Sequence, residues 1–194
     1  MINKKVLFTT SIYEKLNFLN DEEIQMLLDF IKNNNTSKTN ELFSGDVNCT
    51  FDPDPNQGFL NNFKEIKNKI QSEILECAEL IGYQTNLHIT NSWYNVQKEK
   101  SKLDWHTHRH SLISGVIFLK CDSDSSKLYF KNPNPFLQTQ TYFNNNSDNY
   151  DIYSIIPKEG LLLLWPSWLL HGSSEDMNCS KERIAISFNT FFKM

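Results

Sequence analysis

The sequence predicts an α+β protein, mainly β, folded as one domain over residues 1–194. Three observations carry that expectation. Apolar residues recur at helical spacing in two stretches, both within residues 1–84. From residue 85 onward the apolar residues gather in six short β-type runs bounded by turn formers. No internal repeat and no linker divides the 194 residues, and a chain of that length buries roughly 70% of the surface its unfolded form exposes.

The first helix is signalled by Asn20 and Asp21, which suit an N-cap, followed by Ile24, Leu27, Leu28 and Ile31 on one face. The pattern dissolves in Asn33, Asn34 and Asn35. A polar, proline-containing stretch from Thr36 to Gln57 leads to a second helical pattern of Phe59, Phe63, Ile66, Ile70, Ile74, Leu75 and Leu80, stopped by Gly82. The six β-type runs are Leu87 to Val96, Ser114 to Lys120, Leu128 to Phe130, Ile152 to Ile156, Leu161 to Trp165 and Arg183 to Phe192. Such short runs fit an antiparallel sandwich or barrel, with the helices as a bracing layer. Asp122 to Ser126 reads as a turn, and the Asn-rich Phe143 to Asp151 as an exposed loop.

Composition excludes several classes. A net charge of −4 lacks the clustered cationic excess that phosphate-backbone binding requires, so general nucleic-acid binding is not expected. The longest apolar stretch, Leu161 to Leu170, is interrupted by Pro166 and is about half the length a bilayer-spanning helix needs. Lys4 and Lys5 precede only Val6, Leu7 and Phe8, too short an apolar region for a secretory signal. Cys49, Cys77, Cys121 and Cys179 form no CxxC pair or closely spaced framework. A reduced, cytoplasmic setting is therefore expected. The sequence sets no oligomeric state and is compatible with a homodimer.

The chemistry concentrates in few residues. Three of the five histidines fall in Asp104-Trp105-His106-Thr107-His108-Arg109-His110. On an extended strand, positions i and i+2 share a face, so His106 and His108 can offer two imidazoles to one metal ion. The ordinary reading of HxH is a polar strand end with solvated histidines. His171, directly after the apolar run into Pro166-Ser167-Trp168-Leu169-Leu170, sits where another strand can supply a third ligand. In Arg183 to Asn189, alternation places Arg183, Ala185, Ser187 and Asn189 on one face and Ile184, Ile186 and Phe188 on the other. An arginine on such a face can grip a carboxylate with its planar fork of donors, unless it is a surface residue with a salt-bridge partner. Trp105, Trp165 and Trp168 are expected to pack, as aromatic residues generally do.

The ordered set of HxH, Ser114-Gly115-Val116, Pro157-x-x-Gly160 with its apolar run into Pro166-Ser167-Trp168-Leu169, His171, and Arg183 with Ser187-Phe188-Asn189 resembles the 2-oxoglutarate/iron(II)-dependent oxygenases of bacteria and phages. The resemblance covers Trp93 to Phe192, about half the chain. It implies a double-stranded β-helix, or jelly-roll, core, with His106, His108 and His171 as iron(II) ligands. It further implies that Arg183 holds the distal carboxylate of 2-oxoglutarate, with Ser187 and Asn95 lining the cosubstrate pocket. The partners would be 2-oxoglutarate, dioxygen and an unidentified substrate, hydroxylated at C–H with release of succinate and carbon dioxide.

The chain departs from that pattern twice. Non-haem iron sites commonly join two histidines to one carboxylate, and His108 stands where the carboxylate would be. Asp104 shares the strand parity of His106, which leaves an Asp104, His106, His171 triad as a rival ligand set. Ala185 stands where the related Arg-x-Ser pattern has a hydroxyl. His110 ends outside the metal motif as a rim or solvated residue. Two other functions remain open on the sequence: a three-histidine cupin-type metalloprotein with different chemistry, such as a cofactor-independent dioxygenase, and a non-catalytic binding module on the same fold.

Overall fold

The computed structural model describes residues 2–34, 40–83, 86–136 and 149–192. Its elements in chain order are β1 (Tyr13–Lys15), α1 (Asp21–Asn33), β2 (Phe43–Ser44), β3 (Val47–Cys49), α2 (Lys64–Ile81), β4 (Leu87–Lys98), β5 (Lys102–Leu103), β6 (Ile113–Lys120), β7 (Leu128–Lys131), β8 (Ile152–Ile155), β9 (Leu162–Pro166), β10 (His171–Gly172) and β11 (Glu182–Phe192). All six expected β-runs are strands, with ends displaced by one or two residues. The two-residue and three-residue strands carry too little sequence for any pattern to announce them.

Helix α1 starts where its capping chemistry dictates. The Asn20 side chain accepts the Glu23 backbone N–H at 2.9 Å and the Glu23 carboxylate accepts the Asn20 N–H at 3.0 Å, a reciprocal capping box. Ile24, Leu27 and Ile31 are its buried face. The second helical pattern is shorter than its apolar spacing predicts: Phe59–Asn62 form a separate 3-10 turn, and α2 begins at Lys64. Gly82, at φ 87°, closes α2 in the left-handed region that side chains other than glycine's enter at a cost. Leu80, expected on the buried side, is the last residue but one of α2 and is exposed.

Six strands form one antiparallel sheet in the order β1-β9-β6-β11-β4-β3, and three form a second in the order β10-β7-β8. Strand alternation decides what packs where. From the large sheet, Ile113, Ile117 and Leu119 of β6 and Ile184, Ile186 and Phe188 of β11 join a core with α1 and α2. Val116, Phe118 and Ala185 point the other way and pack with Leu128, Phe130 and Ile155 of the small sheet. The result is helices, large sheet and small sheet in three layers, each buried aliphatic or aromatic side chain contributing about 1.5–3 kcal/mol of transfer free energy. Gly115 is required by this packing: a Cβ there would lie 2.4 Å from the Phe188 ring and 2.8 Å from Leu164.

Two aromatic expectations divide. Trp165 is buried with its ring 5.4 Å from that of Phe130, whereas Trp168 is 51% exposed on the turn between β9 and β10, where no layer covers it. The Asn-rich loop is described only at Asn149 to Asp151, which are irregular; its residues 143–148 lie outside the described residues. Among the described residues, no helix is long and apolar enough to cross a membrane.

Candidate metal and carboxylate site

The three-histidine cluster is built by a return of the chain upon itself. After β9 ends at Pro166, a turn carries the chain into β10, which pairs with β7 through His171 opposite Phe130. The opposite edge of His171 forms a two-hydrogen-bond bridge with His106, His106 N to His171 O at 2.9 Å and His171 N to His106 O at 3.1 Å. The His108 N–H donates to Ser167 O at 3.0 Å, fixing the next step of the same segment. HxH therefore occupies a single bridge followed by a turn rather than the continuous strand its spacing predicts. His110, at φ 60°, is part of that turn and is exposed.

One ring nitrogen from each of His106, His108 and His171 can be taken so that all three lie within 4.8 Å of one another. The His106 Nδ1–H donates to Asp104 O at 2.8 Å, and the His171 Nδ1–H to Leu169 O at 2.8 Å. Each bond places the proton on Nδ1 and leaves Nε2 with a lone pair for an ion, the usual second-sphere arrangement of a metal-binding histidine. His108 Nε2 is 3.2 Å from His171 Nε2. Two nitrogens about 2.1 Å from a common ion, at angles of about 90–110°, sit about 3.0–3.4 Å apart, so the donor set fits a first-row divalent metal. Burial, followed by the mutual proximity of the rings, pulls His171 far down and His108 to about 3; burial lowers His106 as well. All three are neutral imidazoles at neutral pH, the form that binds metal. Asp104 is outside the cluster: it is exposed, and its contribution is the backbone carbonyl that holds His106.

A pocket of about 140 Å³ joins this cluster to Arg183. Arg183 is 6% exposed and carries a full charge, although burial draws it down to about 10. One Nη–H donates to Gln97 Oε1, and the guanidinium lies 4.9 Å from the Phe118 ring centroid. Among the described residues its Nε–H has no partner, nor does the Nε2 amide of Gln97, which is 1% exposed. None of the ion pairs among the described residues includes Arg183. A buried cation without a counter-charge costs several kcal/mol unless an anion joins it, and these unpaired donors have the chemistry to receive a carboxylate.

Asn95 and Ser187 line the same pocket, joined by an Asn95 Nδ2 to Ser187 Oγ hydrogen bond of 3.3 Å. Ala185 adds a methyl group and no donor, as its identity requires. Gln97 is the residue that sequence reasoning passes over. It shares strand parity with Trp93 and Asn95, and the antiparallel register sets it directly opposite Arg183. Asn189 and Ser114, which the motifs contain without this role, stand behind His108: Asn189 Nδ2 lies 3.2 Å from His108 Nδ1, and Ser114 Oγ donates to Asn189 Oδ1 at 2.8 Å. Tyr129, on β7, points away to Asp176, donating to its Oδ2 at 2.9 Å.

The family model described as "Putative 2OG-Fe(II) oxygenase" matches residues 91–189, which contain the three histidines, Arg183, Gln97, Asn95 and Ser187. No curated sequence shows significant similarity to the chain. Among solved structures, an oxidoreductase of the 2OG-Fe(II) oxygenase family from Burkholderia pseudomallei superposes with a TM-score of 0.68 at 10% identity, covering 92% of this chain and 84% of that one. A Pseudomonas putida prolyl-4-hydroxylase gives 0.60 at 12% identity, covering 96% and 95%. HygX from Streptomyces hygroscopicus, with nickel, 2-oxoglutarate and hygromycin B bound, gives 0.64 at 9% identity, covering 96% and 84%. At such identities the similarity is one of fold.

Proposed function

The chain belongs to the 2OG-Fe(II) oxygenase family, which depends on iron(II) and 2-oxoglutarate, and from that premise we propose that it hydroxylates a substrate C–H bond at iron held by His106, His108 and His171. One observation carries the reading: a charged, buried guanidinium without a counter-ion shares a pocket with three converging neutral imidazoles. The two packed antiparallel sheets are read as the double-stranded β-helix of the family, a reading supported by the solved structures of similar fold.

Bound iron(II) supplies the activation of dioxygen, coupled to oxidative decarboxylation of 2-oxoglutarate to succinate and carbon dioxide, with one oxygen atom entering the substrate. The chain's residues do the rest. Arg183 Nε and Gln97 Nε2 bind the distal carboxylate, Gln97 supplying the neutral donor that Ala185 lacks. Asn95 and Ser187 border the same volume. Trp93, Trp165 and Phe118 surround the polar groups with hydrocarbon, which keeps water from competing for the carboxylate and strengthens each charge-assisted hydrogen bond.

The direct test is anaerobic addition of iron(II) and then 2-oxoglutarate. The expected result is a visible charge-transfer band that appears only with both present, and 2-oxoglutarate-dependent succinate formation once air is admitted. Iron binding without the band or succinate overturns the reading in favour of a three-histidine metalloprotein of other chemistry.

A further inference from the structure

His108 differs from its two companions in what stands behind it. His106 and His171 each rest Nδ1 on a backbone carbonyl, which can only accept, so their proton position is settled. His108 Nδ1 faces a side-chain amide, that of Asn189, which presents a donor or an acceptor according to which way it is turned. A carboxylate ligand has no tautomers; an imidazole standing in its place does, and one of the two carries its proton on Nε2, the nitrogen that faces the cluster.

The hydrogen bonds behind His108 form a closed set. Ser114 Oγ donates to Asn189 Oδ1 at 2.8 Å, and a second contact of 2.8 Å joins Ser114 Oγ to Ser167 Oγ. With its oxygen taken by Ser114, Asn189 turns Nδ2 to His108 at 3.2 Å, so His108 Nδ1 accepts and its proton resides on Nε2. That proton has an acceptor 3.2 Å away, the bare Nε2 of His171. The set is self-consistent without an ion, and it holds His108 in the tautomer that cannot ligate. Asn189, Ser114 and Ser167 are 5%, 1% and 0% exposed, so water does not replace any of these bonds.

Resting on the reading that the three histidines hold the metal, we propose that Asn189 is a positioning residue that sets the tautomer of His108 and turns its amide over when the metal binds. Half a turn about Cβ–Cγ brings Oδ1 to His108 and Nδ2 to Ser114. His108 then carries its proton on Nδ1, donated to Asn189, and frees the Nε2 lone pair. Ser114 Oγ accepts from Nδ2 and directs its own hydrogen to Ser167 Oγ. No proton is gained or lost overall: one moves from Nε2 to Nδ1 of the same ring.

The test uses the full chain with ¹⁵N-labelled histidine and zinc(II) as a diamagnetic probe, read by long-range ¹H–¹⁵N correlation spectra and by competition titration. In the metal-free wild type His108 is expected as the Nε2–H tautomer, and with zinc as Nδ1–H, while His106 and His171 are Nδ1–H throughout. Asn189→Leu is expected to weaken zinc binding by about 10–100-fold, as loss of a second-sphere partner does. Asn189→Asp, which offers only acceptors, should restore the affinity and hold His108 as Nδ1–H even without zinc. Should Asn189→Leu not fold, Ser114→Ala reports the same device: with Oδ1 released, the metal-free protein shifts toward Nδ1–H. An unchanged His108 tautomer on zinc binding, with the other two rings responding, overturns the role of Asn189 and leaves the three-histidine reading intact. Zinc uptake that moves none of the three rings overturns both.

Discussion

Arg183 concentrates the electrostatic cost of the site in a single side chain. Removing a buried charged partner from a hydrogen-bonded carboxylate costs about 2–5 kcal/mol, so Arg183→Leu is expected to weaken 2-oxoglutarate binding at least about thirtyfold with metal content unchanged. Equilibrium titration of the anaerobic iron complex measures it, and unchanged affinity would remove Arg183 from the site. Gln97→Glu tests its neighbour in the opposite sense: a carboxylate there neutralises the guanidinium from within, and 2-oxoglutarate affinity should fall although a hydrogen-bonding residue is retained. Rescue by Gln97→Asn would argue instead for mere polarity. His106, His108, His171 and Arg183 stand out in the sequence because their residue types are scarce or chemically singular, and a run of three histidines among seven residues draws attention. Gln97 does not, and Asn189 shows only the face it shares with Arg183 and not its partner. An amide in a strand carries no signal until register places it against an arginine or an imidazole, and register is a property of two strands at once.

Strands and helices set how closely those side chains can meet. Gly172 lies where β10 passes the segment leading to His106; a Cβ there would sit 2.9 Å from the carbonyl oxygens of both Leu103 and Asp104. Gly172→Ala should therefore separate the two backbones, break the His106–His171 bridge and cost metal affinity together with stability. The change is followed by zinc titration and thermal unfolding, and a variant that binds zinc as the wild type does would show the approach to be slack. At the distant end of the molecule, Asn20→Ala removes half of the capping box of α1 and should lower stability by about 1 kcal/mol without touching zinc affinity. The long strands and both helices are legible because eight to eighteen residues suffice for a period to declare itself. The short pieces β1, β3 and β10 exist because longer strands bring them a partner, and β2 and β5, two residues each, pair with one another. The 3-10 turn at Phe59–Asn62 escaped for a related reason: its apolar residues continue the spacing of α2 while its backbone does not.

Taken as a whole, the molecule couples its fold to the charge state of its histidines. In the unfolded chain each imidazole takes up a proton below about pH 6.5. In the fold, burial keeps His106, His108 and His171 neutral to lower pH, with His108 held to about 3. The unfolded state thus binds more protons below pH 6.5, and stability that is intact above that value drains away as pH falls toward 3. From pH 6.5 to 5, His108 alone accounts for a loss of about 2 kcal/mol. Urea midpoints of the metal-free protein at pH 7.5 and 5.0 would show it, and a flat profile would mean the rings are wetter than the packing implies. Zinc at a hundredfold excess over its dissociation constant should add about 2.7 kcal/mol at pH 7.5.

Strand β11 bears Arg183 near its start and Asn189 six positions later, and it is hydrogen-bonded to β4 and β6 along most of that length. A strand flanked on both sides neither stretches nor shortens, and six residues measure out about 20 Å. Arg183 and the amide that stands behind His108 are thereby mounted on one strand at a fixed separation. A two-residue slip in the register of β11 would carry Arg183 away from Gln97 and Asn189 away from His108 together, so one backbone alignment sets both the guanidinium and the amide.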